Sequence, residues 1–138
     1  MIIKSKGKEY ELTFKSRQMI RCGDEIGGQY ELELGAYKGD IKLLAKAISI
    51  FSDALSYEEA LDYIDEAIEE GRTIRELYSN LFEEMNKTAF FTKKLEVSEL
   101  PPINYQMYME KITSEIEKEL ASKTKEEALE NMSSNLSQ

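Results

Sequence analysis

Apolar side chains recur every three or four positions along the middle of the chain, which is the spacing of amphipathic helices. Each apolar stretch follows a helix-start signal, and the signals are Gly39-Asp40, Ser56-x-x-Glu59 and Thr73-x-x-Glu76. The last two are capping boxes, in which a hydroxyl and a carboxylate satisfy unpaired amide hydrogens of the first turn. The pattern therefore predicts consecutive helices over 41–55, over 57–70 and from residue 74 onward.

The predicted helix over 41–55 is the most apolar of these helices. Its apolar residues form two stripes rather than one, so it must be covered on two sides. We expect it to be the central helix of the core. The alternative is that one stripe, which includes Leu43 and Ile50, contacts a neighbouring subunit.

Before these helices the spacing changes to that of a β-strand. In residues 10–14 apolar and polar side chains alternate, and a turn at Gly7 separates this segment from residues 2–4. Glycine supplies the positive φ that a tight hairpin requires. Because an isolated hairpin is marginal in water, its apolar face must rest on the helices. The predicted fold class is mostly α (α+β), an N-terminal β-hairpin on a small bundle of short helices with a helical C-terminal tail.

Residues 16–38 carry weaker signals. Ser16 is placed to cap a short helix that ends at Gly27-Gly28. In residues 29–34 apolar and polar side chains alternate as in a strand, although Glu and Leu also favour a helix, which Gly35 would end. The alternation leads us to predict an extended segment or third strand here.

Pro101-Pro102 marks the clearest domain boundary, because proline interrupts helices and strands. We predict a domain of hairpin and helices over 1–95, a linker over 96–102 and a helical extension over 103–132. The extension carries apolar residues at helical spacing but is too short to indicate a coiled coil. The serine- and asparagine-rich residues 133–138 are predicted to be disordered.

The composition argues against most catalytic chemistry. The 138 residues include no histidine and one cysteine, Cys22, which therefore lacks the partner that activates a cysteine nucleophile. Neither a phosphate-binding loop nor a set of zinc ligands is recognisable. We therefore expect a binding protein that is not an enzyme and uses no cofactor. With no leader and no apolar run of about 18 residues, we expect it in the cytoplasm and not in a membrane.

The net charge of −9 is concentrated in one region. Residues 53–85 hold eleven acidic side chains against Arg72 and Arg75, while the first 23 residues are positive and residues 86–95 carry three lysines. Ordinary solvated helix faces account for this pattern. The alternative is a subunit with oppositely charged ends that stacks head to tail into a ring or spiral. The acidic balance argues against nucleic acid as a partner.

The third helix runs into an aromatic and basic segment. Phe90 and Phe91 are adjacent, so about 100° of helical rotation separates them and both cannot point into one small core. We expect one phenylalanine to close the core and the other to contact a partner. Together with Lys93 and Lys94 they form the predicted contact with a neighbouring subunit or a client.

Three features together resemble a known family. They are the IIKSKGKEYELTF hairpin sequence at 2–14, the capped helices, and Phe91-Thr92-Lys93-Lys94-Leu95. Their order and spacing over residues 1–95 resemble the tail assembly chaperones of long, flexible-tailed phages and prophages of Gram-positive bacteria. The resemblance implies a non-enzymatic protein that coats the tape measure protein, a long helical chain that sets tail length, and helps to recruit the tail tube protein. It also implies assembly into spirals and absence from the mature virion.

Two other classes of function remain open. An acidic inhibitor encoded by a phage would use the acidic face of residues 58–70 to mimic nucleic acid and bind a basic host protein. A generic helical adaptor would present its apolar surfaces to a different partner. Against the inhibitor, the acids follow ordinary helix amphipathicity rather than a phosphate-like path.

Overall fold

The computed structural model describes the backbone of residues 1–136 and the side chains of residues 1–123. The chain divides into two compact units, Met1–Pro102 and Ile103–Gln138. Helices make up most of the described chain, and the predicted α+β class is confirmed. The elements are β1 (Ile2–Ser5), β2 (Lys8–Glu11), α1 (Ser16–Glu25), α2 (Gln29–Lys38), α3 (Ile41–Phe51), α4 (Tyr57–Glu69), α5 (Ile74–Asn86) and α6 (Tyr105–Leu136).

The strands β1 and β2 form the predicted antiparallel hairpin. Lys6 and Gly7 make its turn with φ of 51° and 75°, the positive values that suit a two-residue loop between twisted strands. The second strand ends at Glu11 rather than continuing to residue 14. Beyond it the Thr13 amide donates to the carbonyl of Phe51 at 2.8 Å, so the chain leaves the hairpin towards the end of α3.

The prediction of an extended segment or third strand at residues 29–34 is wrong, because α2 covers this segment. Its buried residues are Leu32, Gly35 and Ala36, which repeat with the helical rather than the strand period. The Glu31 carboxylate also accepts a hydrogen bond from the Gly28 amide at 2.7 Å, which satisfies a donor at the helix start. Burial of this face of α2 favours a helix more strongly than the alternation of apolar and polar residues favours a strand.

Gly35 does not end α2. The helix ends at Gly39, whose φ of 67° is the left-handed conformation of a glycine C-cap. A Cβ added to Gly35 would lie 2.8 Å from Leu43 Cδ1 and 3.1 Å from the Tyr78 hydroxyl oxygen. Gly35 therefore permits a close approach of α2 to α3 and α5.

The predicted helix-start signals operate in the structure. The Asp40 carboxylate accepts from the Leu43 amide at 3.1 Å at the start of α3. In the capping box of α4, the Ser56 hydroxyl accepts from the Glu59 amide at 3.2 Å, and the Glu59 carboxylate accepts from the Ser56 amide at 3.3 Å. The Thr73 hydroxyl caps α5 by accepting from the amide of Glu76 at 3.1 Å, but the Glu76 carboxylate returns no bond to the Thr73 amide, so the predicted capping box is only half formed. These caps fix where each helix starts.

The helix α3 lies at the centre of the core and packs on α1, α2 and α4. It ends at Phe51, four residues before the end predicted at Leu55. Most of its apolar residues are buried, and these are Leu44, Ala45, Ala47, Ile48, Ile50 and Phe51, whereas Leu43 is partly buried and Ile41 is 47 % exposed. The interpretation of α3 as a central core helix therefore describes this helix correctly.

The second unit consists mainly of α6. The Asn104 side chain accepts from the Met107 amide at 3.2 Å, which caps the first turn. The helix continues to Leu136, so residues 133–136 are helical where a disordered tail was predicted, and residues 137–138 lie outside the described residues. Within the part of the chain that the structure describes, no helix combines the length and apolar character needed to span a membrane.

Candidate interaction surface

The aromatic and basic segment forms a loop that begins after α5, and we call residues 88–94 the aromatic–basic loop. The side-chain nitrogen Nδ2 of Asn86 donates to the carbonyl of Leu95 at 2.9 Å, and the backbone amide of Leu95 donates to the side-chain oxygen of Asn86 at 2.7 Å. The Leu95 side chain is only 3 % exposed. One asparagine at the end of α5 therefore closes the loop by holding its far end against the core.

Two further side chains hold the segment that contains the loop. Gln29, at the start of α2, donates to the carbonyl of Lys94 at 3.2 Å. Arg75, at the start of α5, donates to the carbonyl of Val97 at 3.2 Å. These residues come from distant parts of the sequence, so the spacing signals along the chain do not reveal them. The backbone of the loop is thus tied to two helices.

The structure separates the two phenylalanines of the loop. Phe91 is partly buried and packs against the core, whereas Phe90 is 48 % exposed. Lys93 and Lys94 are exposed, and neither makes an ion pair among the described residues. The loop consequently presents one aromatic ring and two uncommitted positive charges to its surroundings.

The other two candidate residues lie elsewhere. Ile50 is 1 % exposed and belongs to the core, so it offers no surface to a neighbour in this fold. Leu43 is partly buried and lies over Gly35, where it helps to join α3 to α2. Packing inside the chain therefore accounts for both residues, and the loop remains the candidate contact.

The hairpin covers part of the acidic face of α4. The Tyr10 hydroxyl donates to the Glu59 carboxylate, the Lys6 ammonium lies 3.1 Å from Asp62, and the Lys6 amide donates to Glu66 at 2.8 Å. Positions 59, 62 and 66 lie on one side of a helix, a spacing that was visible in the sequence although its partner was not. Three acids interpreted as facing outward thus help to bind the hairpin to α4.

These contacts change the ionisation of the groups involved. The hydrogen bond from Tyr10, followed by those from Ser56, lowers the pKa of Glu59. The same bond raises the pKa of Tyr10, because ionised tyrosine could no longer donate it. The hydrogen bond to Asp62 and its charge raise the pKa of Lys6. The contact between hairpin and helix is therefore electrostatic as well as apolar.

The remaining acids of α4 and its C-cap make no ion pair with the hairpin among the described residues, although Glu70 lines a shallow pocket with Ile2, Ile3 and Lys4. Glu58, Asp65, Glu69 and Glu70 are exposed. Ile68 is 43 % exposed and lies between Asp65 and Glu69 in sequence. The outer side of α4 therefore combines carboxylates with an exposed apolar side chain.

The described residues offer no recognisable reactive group. Cys22 is 2 % exposed, and burial raises the pKa of its thiol to about 11, so almost no nucleophilic thiolate forms near neutral pH. Among the described residues no group of three or more His, Cys, Asp or Glu side chains is placed to hold a metal ion.

Comparison of the chain with protein-family models, curated proteins and solved structures gave no match. The surfaces themselves are therefore the basis for a functional proposal. The most specific of them is the aromatic–basic loop, because its backbone is held in place and neither of its exposed lysines makes an ion pair within the part of the chain that the structure describes.

Proposed function

We propose that this chain is a non-enzymatic tail assembly chaperone of long-tailed phages or prophages, which self-associates and coats the tape measure protein while the tail is built. The observation that carries the proposal is the aromatic–basic loop, in which Phe90, Lys93 and Lys94 are exposed and neither lysine makes an ion pair among the described residues. Aromatic side chains such as phenylalanine are enriched in protein–protein interfaces, and exposed lysines steer a partner of opposite charge. The resemblance over residues 1–95 supplies the identity of the client.

The anchoring of the loop supports a binding role. Ordering a flexible loop on contact reduces affinity, and a loop already held by hydrogen bonds avoids much of that cost. The bonds from Asn86, Gln29 and Arg75 tie this segment before any partner arrives. A structural connection alone would not require an exposed phenylalanine at its tip.

The second unit adds a surface suited to a helical client. Along α6 large apolar side chains remain exposed, and Tyr105, Met109 and Ile116 among them recur at helical spacing on one face. An exposed apolar stripe on a helix can pair with the apolar face of another helix. The tape measure protein implied by the resemblance is long and largely helical, so α6 is a suitable second contact.

Repetition would make such contacts effective. Many copies bound side by side along one client raise the effective concentration of each contact, so weak individual sites hold the client together. Weak sites also release it when tail tube subunits compete. We place this activity in the host cytoplasm, with no cofactor and no role for nucleic acid, and we do not expect the chain in the mature virion.

The acidic inhibitor is the alternative. Its binding surface would be the exposed carboxylates of α4, which are Glu58, Asp65, Glu69 and Glu70. Because the hairpin engages Glu59, Asp62 and Glu66, the acids left free form a narrower surface than the sequence suggested. A generic helical adaptor would use α6 alone.

The proposal is tested by co-expressing the full chain with the tape measure protein encoded beside it. We expect a soluble complex with many copies of this chain per client, measured by pull-down and light scattering. The triple variant Phe90→Ser/Lys93→Glu/Lys94→Glu should leave more client insoluble, while its circular dichroism spectrum stays helical. The control Lys42→Glu/Lys46→Glu, which reverses two exposed lysines on α3, should behave as wild type.

Two results would contradict the proposal. One is an insoluble client beside an unbound monomer of the wild-type chain. The other is salt-sensitive binding of a basic host protein through the acids of α4, with no effect on the client, which would favour the inhibitor.

A further inference from the structure

The outer side of α4 carries a small surface that complements the aromatic–basic loop. Asp65, Ile68 and Glu69 are exposed and adjacent on this side of the helix, and we call these three residues the α4 patch. Ile68 beside two carboxylates matches the loop in both character and charge, because the loop presents exposed Phe90 and the two exposed lysines Lys93 and Lys94.

The carboxylates of the α4 patch are uncommitted. Asp65 and Glu69 are four residues apart, a spacing at which like charges on a helix repel one another. Neither makes an ion pair among the described residues, whereas Asp62 on the hairpin side is paired with Lys6. A cation placed over the patch by another molecule would relieve this repulsion.

The loop and the patch of one chain lie near opposite ends of α5. The patch occupies the last turns of α4, just before α5 begins, while the loop follows the last residue of α5 and is bonded back to it through Asn86. The 13 residues of α5 span about 20 Å at the rise of an α-helix. Each chain therefore presents two complementary surfaces that are separated by the length of a helix.

We propose that the aromatic–basic loop of one copy binds the α4 patch of a second copy, with Phe90 against Ile68 and Lys93 and Lys94 facing Asp65 and Glu69. This contact would produce the self-association that is part of the proposed function, and to that extent it rests on the proposed function. Because the two surfaces differ, the contact is heterologous and leaves a free loop at one end and a free patch at the other. Such contacts continue into a closed ring or an open spiral rather than stopping at a symmetric dimer.

Charge reversal tests this contact in the full chain. The loop variant is Lys93→Glu/Lys94→Glu, the patch variant is Asp65→Lys/Glu69→Lys, and the combined variant carries all four changes. The average mass measured by sedimentation velocity should rise with wild-type concentration and fall with added salt, which screens exposed charges. Each of the two single-surface variants should weaken self-association by about tenfold or more, because each places like charges face to face.

Mixing the variants distinguishes this contact from a general effect of charge. The loop variant keeps an acidic patch and the patch variant keeps a basic loop, so their mixture should gain the wild-type pairing and also the charge-reversed pairing, neither of which forms in one variant alone. The combined variant should regain self-association, since its reversed surfaces attract one another. The control Lys42→Glu/Lys46→Glu has the same net charge as the loop variant and should associate as wild type.

The inference is overturned if the wild-type chain is monomeric throughout, or if the single-surface variants associate as wild type. It is also overturned if folded variants lose association but neither the mixture nor the combined variant recovers it. Co-expression with the tape measure protein separates this outcome from failure of the proposed function. If the client becomes soluble but the charge reversals do not change self-association, only the proposed contact is refuted. If the chain associates through these surfaces but the client stays insoluble, only the proposed function is refuted.

Discussion

The Tyr10 hydroxyl donates a hydrogen bond to the Glu59 carboxylate, and this bond connects the hairpin to the first turn of α4. Glu59 also accepts from the Ser56 amide as part of the capping box. One carboxylate thus joins a local helix start to a contact between residues that are 49 positions apart. We therefore expect the contribution of this hydrogen bond to the stability of the hairpin to depend on the ionisation of Glu59.

The lowered pKa of Glu59 predicts how stability depends on pH. A carboxyl group with a lowered pKa in the folded state stabilises the fold above its unfolded pKa, and this contribution is lost as the pH falls through the folded value. We expect Tyr10→Phe to lower stability at pH 7, and we expect its deficit relative to wild type to shrink well below pH 4.5, the ordinary pKa of the group. Urea denaturation at pH 7 and at pH 3 measures both quantities.

The control for this experiment is Tyr37→Phe, since Tyr37 is exposed and its hydroxyl has no hydrogen-bond partner among the described residues. It should unfold as wild type at both pH values. A deficit of Tyr10→Phe that is equal at pH 7 and pH 3 would show that ionisation of Glu59 does not contribute.

The Asn86 side chain is expected to hold the aromatic–basic loop in place. Asn86→Ala removes two hydrogen bonds to Leu95 and leaves the buried end of the loop unsatisfied, a loss of about 1–3 kcal/mol in the free energy of unfolding. Trypsin should then cleave more rapidly after Lys93 and Lys94. Asn80→Ala, on the same helix, is the matched control, and equal cleavage of both variants would contradict the anchoring role.

Two glycines inside helices should respond to alanine in opposite ways. Gly23→Ala meets no atom within 4 Å and should stabilise α1 by about 0.5–1 kcal/mol, because alanine favours helices. Gly35→Ala places a Cβ 2.8 Å from Leu43 Cδ1 and should destabilise the chain by about 1–3 kcal/mol through overpacking. Thermal or urea unfolding measures both changes, and stabilisation by Gly35→Ala would show that α2 and α3 are less closely packed.

The buried Cys22 thiol should react slowly in the native chain. Its pKa is raised to about 11 by burial and by the charge of Glu25, so the thiolate is scarce at pH 8. We expect DTNB to modify the thiol much more slowly in native than in urea-unfolded protein. Equal rates in the two states would show that the region around α1 opens readily.

Local signals in the sequence determined much of the fold. The capping residues Asp40, Ser56 and Thr73 mark the starts of α3, α4 and α5, and the positive φ of Gly7 permits the hairpin turn. Each of these features depends on residues within a few positions of one another. They can be predicted from the sequence because the residues that interact are also close together along the chain.

The tertiary structure alone decided the state of residues 29–38 and of the loop. The alternation at residues 29–34 indicated a strand, but burial of Leu32 and Ala36 and the close approach at Gly35 favour a helix. The adjacency of Phe90 and Phe91 in the sequence indicated that only one of them enters the core. The tertiary structure decided that Phe91 packs against the core and Phe90 stays exposed. Both outcomes depend on which surfaces meet across the fold.

The same distinction applies to the charges. The sequence by itself determined that α4 is acidic on its polar side and that basic residues follow α5. Only the tertiary structure assigned Glu59, Asp62 and Glu66 to the hairpin and left Asp65 and Glu69 unpaired. The physical reason is that pairing between charges requires proximity in space, which arises from packing of distant segments rather than from their order along the chain.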